Sequence, residues 1–140
     1  MRPIDMMMPR WNDSYLLGKT SIDEQHKGLV KCASNVVGAR TRDVQVRYVH
    51  DLQELTAAHF AHEQALMRAL DYSEMEEHVH EHQLLLSELH AVAKALATGS
   101  LSQEELSSFF SERLIVHCIG SDARLAAEIR ALEYWSCDVE

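Results

Sequence analysis

Residues 75–96 read MEEHVHEHQLLLSELHAVAKAL, and steps of three and four align Met75, His78, His82, Leu85, Leu89, Val92 and Leu96 along one seam. That spacing is the signature of an amphipathic helix with one buried face. Two of its inward positions are imidazoles. Upstream, Leu52, Leu55, His59, Glu63, Leu66 and Leu70 repeat the spacing, as do Ile22, His26, Leu29, Ala33 and Val36. Downstream, Leu106, Phe110, Leu114 and His117 form a fourth stripe, which resumes at Asp122, Leu125, Ile129 and Leu132. The step from His117 to Asp122 is looser, about 140° around an ideal helix.

Punctuation agrees with four helices. Ser21–Glu24, Ser73–Glu76 and Ser102–Glu105 each match the Ser-x-x-Glu capping box. Thr41 or Asp43 can cap another start, and Gly99 supplies a stop. The expected helices run over about 22–39, 43–70, 74–97 and 103–133. Short connections make successive helices antiparallel, so the fold class is all-α, an up-down-up-down four-helix bundle with an N-terminal arm. One domain is expected over residues 1–140, with the arm at 1–19, the bundle at about 20–133 and a short C-terminal tail. Trp11, Tyr15 and Leu16–Leu17 are expected to lay the arm across one bundle end.

Composition narrows the function. Of 140 residues, 46% are hydrophobic and 25% charged, with only 5 Gly and 2 Pro, which argues against disorder and a loop-rich β sandwich. A formal charge of -9 repels phosphate backbones, so nucleic acid is not an expected partner. Neither a secretory leader nor a membrane span is evident, and Cys32, Cys118 and Cys137 make no CxxC pair. Reduced thiols in a cytoplasmic protein are the expectation.

Five histidines and two carboxylates therefore face inward from all four helices. Each buried polar group left without a partner costs about 1–3 kcal/mol. Metal coordination removes that cost, because imidazole and carboxylate together suit first-row transition metals and bundle cores are known to house such sites. Seven donors exceed the four of a closed zinc site. Two ions bridged by Glu63 and Asp122 would use them all. His50, His62, His80 and His90 lie off the stripes or beside them and are expected at the surface.

Over nearly its whole length the chain resembles the hemerythrins and bacteriohemerythrins. The matching segments are Trp11 with Gly18, Ile22-Asp23-Glu24-Gln25-His26, His59-Phe60-Ala61-His62-Glu63-Gln64-Ala65-Leu66-Met67, Tyr72, His78-Val79-His80-Glu81-His82 and His117-Cys118-Ile119-Gly120-Ser121-Asp122. The resemblance implies a non-haem di-iron centre (Fe2+/Fe3+) with an oxo or hydroxo bridge. His78, His82 and His117 would bind one iron and His26 and His59 the other, with Glu63 and Asp122 bridging. It also implies reversible dioxygen binding at the two-histidine iron, for storage, delivery or scavenging, in a pocket walled by Leu29, Leu114 and Cys118.

Five of the seven donors are neutral, which favours ligand binding over oxidation, and the single E-x-x-H, Glu77 to His80, points off the stripe. The expectation is thus a binding protein rather than an enzyme. A sensor of oxygen, nitric oxide or redox and iron status is the alternative, and a di-iron oxidase or peroxidase is the third. Four positions depart from the family pattern. Ser73 and Gln64 look peripheral. Arg113, where many members carry Trp, either extends outward or opens the site to water. Cys118 replaces a common Ile. The last two are expected to hasten oxidation of the centre in air.

Overall fold

The computed structural model describes residues 9–138, with side chains described as far as residue 133. After a short 3-10 turn at Asp13–Tyr15 come α1 (Thr20–Gly38), α2 (Arg42–Leu70) and α3 (Met75–Thr98). The fourth rod is segmented. It comprises α4 (Gln103–Phe109), a π turn (Phe110–Leu114), α5 (Ile115–Ile119) and α6 (Ser121–Asp138).

Two apolar clusters define the packing. One joins Val36 and Val37 near the end of α1, Val49 and Leu52 early in α2, Leu89 to Leu96 late in α3, and Leu106 and Phe110. The other joins Ile22 at the start of α1, Met67 near the end of α2, Tyr72 just beyond it, and Leu125 and Ile129 in α6. Chain starts meet chain ends in each cluster, so the rods alternate in direction as an up-down-up-down bundle. No helix among the described residues is long and apolar enough to cross a membrane.

The caps differ from expectation. Only Ser102 forms its capping box, accepting from Glu105 N at 3.0 Å while the Glu105 carboxylate accepts from Ser102 N at 3.1 Å. Helix α1 begins at Thr20 behind Lys19, and α3 begins at Met75 behind Glu74, neither with a side-chain cap. The first difference arises because the helix starts ahead of Ser21, which then lies inside its first turn, while the Asp23 carboxylate accepts from Leu17 N at 2.8 Å and Gly18 N at 3.2 Å and ties down the arm. Thr41 does cap α2, accepting from Val44 N, and Gly99 ends α3 in the left-handed conformation at φ 72. Asp71, at φ 52, performs the same task for α2.

Trp11 and Tyr15 stack edge-to-face at 5.5 Å, and Lys27 lies 5.7 Å from the Trp11 ring. Leu17 packs on the second apolar cluster, whereas Leu16 is exposed. Residues 1–8 of the expected arm and the Cys137 side chain lie outside the described residues.

On α2 the buried face is Val49, Leu52, Thr56, His59, Phe60, Glu63 and Met67, with Leu55, Leu66 and Leu70 at its flank. Leu132, expected inward, is 40% exposed. It lines an open apolar groove with Leu66, Leu70 and Ile129. A strict alternation of three and four drifts against a 3.6-residue turn, so an expected seam slides off the core toward its ends.

Ser102→Ala and Thr41→Ala should each lower unfolding free energy by about 1 kcal/mol. Ser21→Ala and Ser73→Ala should stay within about 0.5 kcal/mol of the unmodified chain. Urea unfolding of the four variants separates working caps from idle ones.

Candidate metal centre

Between the two apolar clusters lie all seven side chains expected as donors: His26, His59, Glu63, His78, His82, His117 and Asp122, each at most 5% exposed. They form two groups in which donor atoms lie within 4.8 Å of one another. One is Glu63, His78, His82, His117 and Asp122; the other is His26, His59, Glu63 and Asp122. Both carboxylates belong to both groups.

Helical geometry places them. His59 and Glu63 are four residues apart on α2, as are His78 and His82 on α3, so each pair projects from one face a turn apart. The five-residue step from His117 to Asp122 needs a break, and Gly120 supplies it with φ -109 and ψ -84 between α5 and α6. A Cβ at Gly120 would stand 3.0 Å from the Val116 carbonyl oxygen, so glycine suits this close approach. The π turn just before α5 further resets the rod's phase, and such turns accompany functional sites. The continuous helix expected over 103–133 is therefore replaced by segments, because a regular helix cannot point both donors at one centre.

Asp122 divides the imidazoles. Its Oδ2 faces His26 Nε2 at 2.7 Å and His59 Nε2 at 3.1 Å, and its Oδ1 faces His78 Nε2 at 3.0 Å and His117 Nε2 at 2.9 Å. Glu63 Oε1 faces His82 Nε2 at 3.0 Å, His78 Nε2 at 3.4 Å and His59 Nε2 at 3.5 Å. Several buried atoms still lack a hydrogen bond, including Glu63 Oε2, His26 Nδ1 and His117 Nδ1. Convergent Nε2 atoms around two shared carboxylates, with an orphaned carboxylate oxygen among them, fit a metal centre better than a self-contained polar core.

The electrostatics follow from the same contacts. Burial alone raises the Asp122 carboxyl, but hydrogen bonds from His117, His26, His59 and His78 outweigh it and hold the group well below the usual range. Burial likewise depresses His78, yet its bonds to Asp122 and Glu63 prevail and lift it from 6.5 to about 9. His82 moves the other way, because burial dominates and only Glu63 opposes it. Burial also pushes the Cys118 thiol well up, so it stays protonated.

Supporting residues come into view here. Gln25 bonds to His59 Nδ1, and the Gln64 amide lies 3.2 Å from His82 Nδ1. Gln64 is therefore not peripheral. Its position directly after Glu63 was the available signal, since a one-residue offset turns a long side chain toward the neighbouring helix. Phe60 stacks on His82 with ring centroids 3.8 Å apart. Leu29, Leu114 and Cys118 are all buried in the first apolar cluster. Arg113 extends outward, with Nε donating to Glu88 at 2.7 Å, Nη2 at 2.9 Å, and Nη1 to Glu81 at 3.4 Å. It does not open the core to water. His50, His80 and His90 are exposed, while His62 is half-buried with Nε2 lacking a hydrogen bond.

In the metal-free chain, stabilisation from His78 protonation is complete below pH 6.5 and is lost as pH climbs through about 9, because the folded state holds this proton more tightly. The metal-free thermal midpoint should fall across that window, and His78→Gln should flatten the decline. A midpoint rising from pH 6.5 to 9 would contradict this assignment.

No family model matches the chain, and no solved structure matches it significantly. Curated relatives do. The bacteriohemerythrin of Stenotrophomonas maltophilia (strain R551-3) is 24% identical over 124 residues, spanning 86% of this chain and 81% of the relative. Myohemerythrin-1 of Phascolopsis gouldii is 27% identical over 100 residues, spanning 71% and 82% respectively. The bacteriohemerythrin of Pseudomonas aeruginosa is 26% identical over 123 residues, spanning 86% and 80%. A four-helix bundle with a histidine–carboxylate cluster at its centre, this chain is thus similar along most of its length to proteins named bacteriohemerythrin and myohemerythrin.

Proposed function

We propose that this protein binds dioxygen reversibly at a non-haem di-iron centre. The observation that carries the reading is the sharing of Glu63 and Asp122 between a three-histidine group and a two-histidine group. His78, His82 and His117 would hold one iron, His26 and His59 the other, and the two carboxylates would bridge them. A pair of ferrous ions supplies the two electrons that reversible dioxygen binding calls for. The names of the relatives support the same reading.

The side chains do the rest. Gln25 and Gln64 engage the Nδ1 atoms of His59 and His82, which orients the rings and presents Nε2 to the centre. His78 would bind as neutral imidazole, without the proton it holds in the metal-free chain. Leu29, Leu114 and Cys118 wall the centre with apolar surface and withhold the water and protons that cleavage of dioxygen requires. Five neutral donors against two anionic ones give less stabilisation to high oxidation states than a carboxylate-rich set, so binding ranks above oxidase or peroxidase chemistry. Cys118 is the departure that touches the pocket wall. Arg113, held by Glu88 and Glu81, is set apart from it.

Protein from iron-replete cells should contain two irons per chain and show a visible charge-transfer band that dithionite removes and air restores. His59→Ala should lower the iron content. One iron or none in well-folded protein would end the proposal, as would an unchanged iron content in His59→Ala. Cys118→Ile should slow the irreversible loss of this colour response in air, and an equal rate would clear the thiol of any part in it.

A further inference from the structure

Tyr72, Glu74, Glu77, Ser121 and Arg124 surround a small cavity of about 50 Å³ whose remaining wall is His78. It sits at the starts of α3 and α6, and its lining is polar where the bundle around it is apolar. His78 is only 5% exposed and engages the central carboxylates through Nε2. Its Nδ1 has no hydrogen bond among the described residues. The same imidazole thus belongs to the buried centre and to the cavity wall.

On other sides the centre's outer contacts are occupied, and the Glu81 carboxylate that stands 3.9 Å from His117 Nδ1 is paired with Arg113. Phe60 covers His82, Gln25 and Gln64 occupy the outer nitrogens of His59 and His82, and Leu29, Leu114 and Cys118 seal the first apolar cluster. A divalent cation cannot cross such a layer bare, because stripping its hydration without replacement donors is prohibitive. Near His78 the replacements are present: two carboxylates, a phenol and a hydroxyl, oxygen donors of the kind that suit iron(II) and manganese(II). Glu74 accepts from Tyr72 Oη at 3.1 Å and faces Arg124 Nε at 3.7 Å. The Arg124 and Glu74 side chains are 64% and 53% exposed, so their ion pair is weak and easily opened.

We propose that this cavity is a transit site for divalent cations, through which iron(II) reaches the buried donors. Glu77 and Glu74 take the ion from solvent and His78 receives it at the inner wall. Arg124 opposes the ion's approach, and its weak pair with Glu74 opens as the ion is taken up. The inference rests on the di-iron reading of the centre and adds the route by which the centre fills.

The test is anaerobic uptake of iron(II), and separately cobalt(II), by the metal-free full chain, with rate and final stoichiometry measured apart. Glu74→Gln and Glu77→Gln should each slow uptake, together by about tenfold or more, the lower end of what a local field contributes to an on-rate. Arg124→Gln should accelerate it. All three should reach the same final metal content as the unmodified chain. Glu104→Gln makes the same charge change at the opposite end of the bundle and should leave the rate alone. Unchanged rates in the Glu74 and Glu77 variants, or equal slowing by Glu104→Gln, overturn the transit site. An unmodified chain that never takes up two ions overturns the di-iron reading itself.

Discussion

Asp122 is fully buried, and four imidazoles from four different helical segments are turned toward its two oxygens. An isolated carboxylate in that position would be strongly destabilising, and it persists only because each surrounding rod contributes a compensating group. The bundle is thereby committed to one register. Sliding a helix by a single residue would turn its histidine about 100° away from the centre and leave the carboxylate exposed to apolar surroundings. Apolar packing could tolerate such a slip more cheaply, since leucines exchange for leucines. The polar centre is the element that selects one alignment among near-equals.

Much of this was legible in the sequence because period and chemistry coincide. Stripes of three-and-four spacing located the four rods, and the histidines and carboxylates on those stripes had nowhere to go but the interior. The structure brings all seven together. What escaped was local competition. Ser21-Ile22-Asp23-Glu24 reads as a cap, but the helix starts earlier, at Thr20, with Asp23 accepting from two amides of the arm, and a motif cannot announce which donors a carboxylate will meet. Ser73 loses its role because α3 begins later, behind Glu74. The fourth rod misled in another way. Its five-residue step was visible, yet its resolution into a π turn and a break at Gly120 depends on where the other three rods place the centre. Gln64 carries no signal of its own in the sequence beyond its place after Glu63, because its contribution runs through His82, a residue on another helix.

The supporting residues also show how a ligand set gains direction. An imidazole offers two nitrogens, and which of them faces the centre depends on what the other one meets. For His59 and His82 the answer is a glutamine, whose amide satisfies Nδ1 without adding charge beside the centre. His117 has Glu81 3.9 Å from its Nδ1, and Glu81 is in turn drawn toward Arg113. The Arg113 guanidinium therefore acts toward the surface, through carboxylates on α3.

The two ends of the molecule differ in a manner that suits the proposed chemistry. Toward the ends of α1 and α3 the core is wide and apolar, running from Val36 and Leu96 to Leu114 and Cys118. Toward the starts of α3 and α6 it gives way to Tyr72, Glu77, Ser121 and Arg124 around His78. A neutral diatomic molecule and a divalent ion place opposite demands on a path, one crossing apolar matter freely and the other requiring donors at each step. A single buried centre can serve both only if its surroundings are unequal. The asymmetry has its origin in the chain itself: the leucine-rich latter half of α3 follows an acidic, histidine-bearing first half, so one helix presents its polar end to the ion and its apolar end to the core.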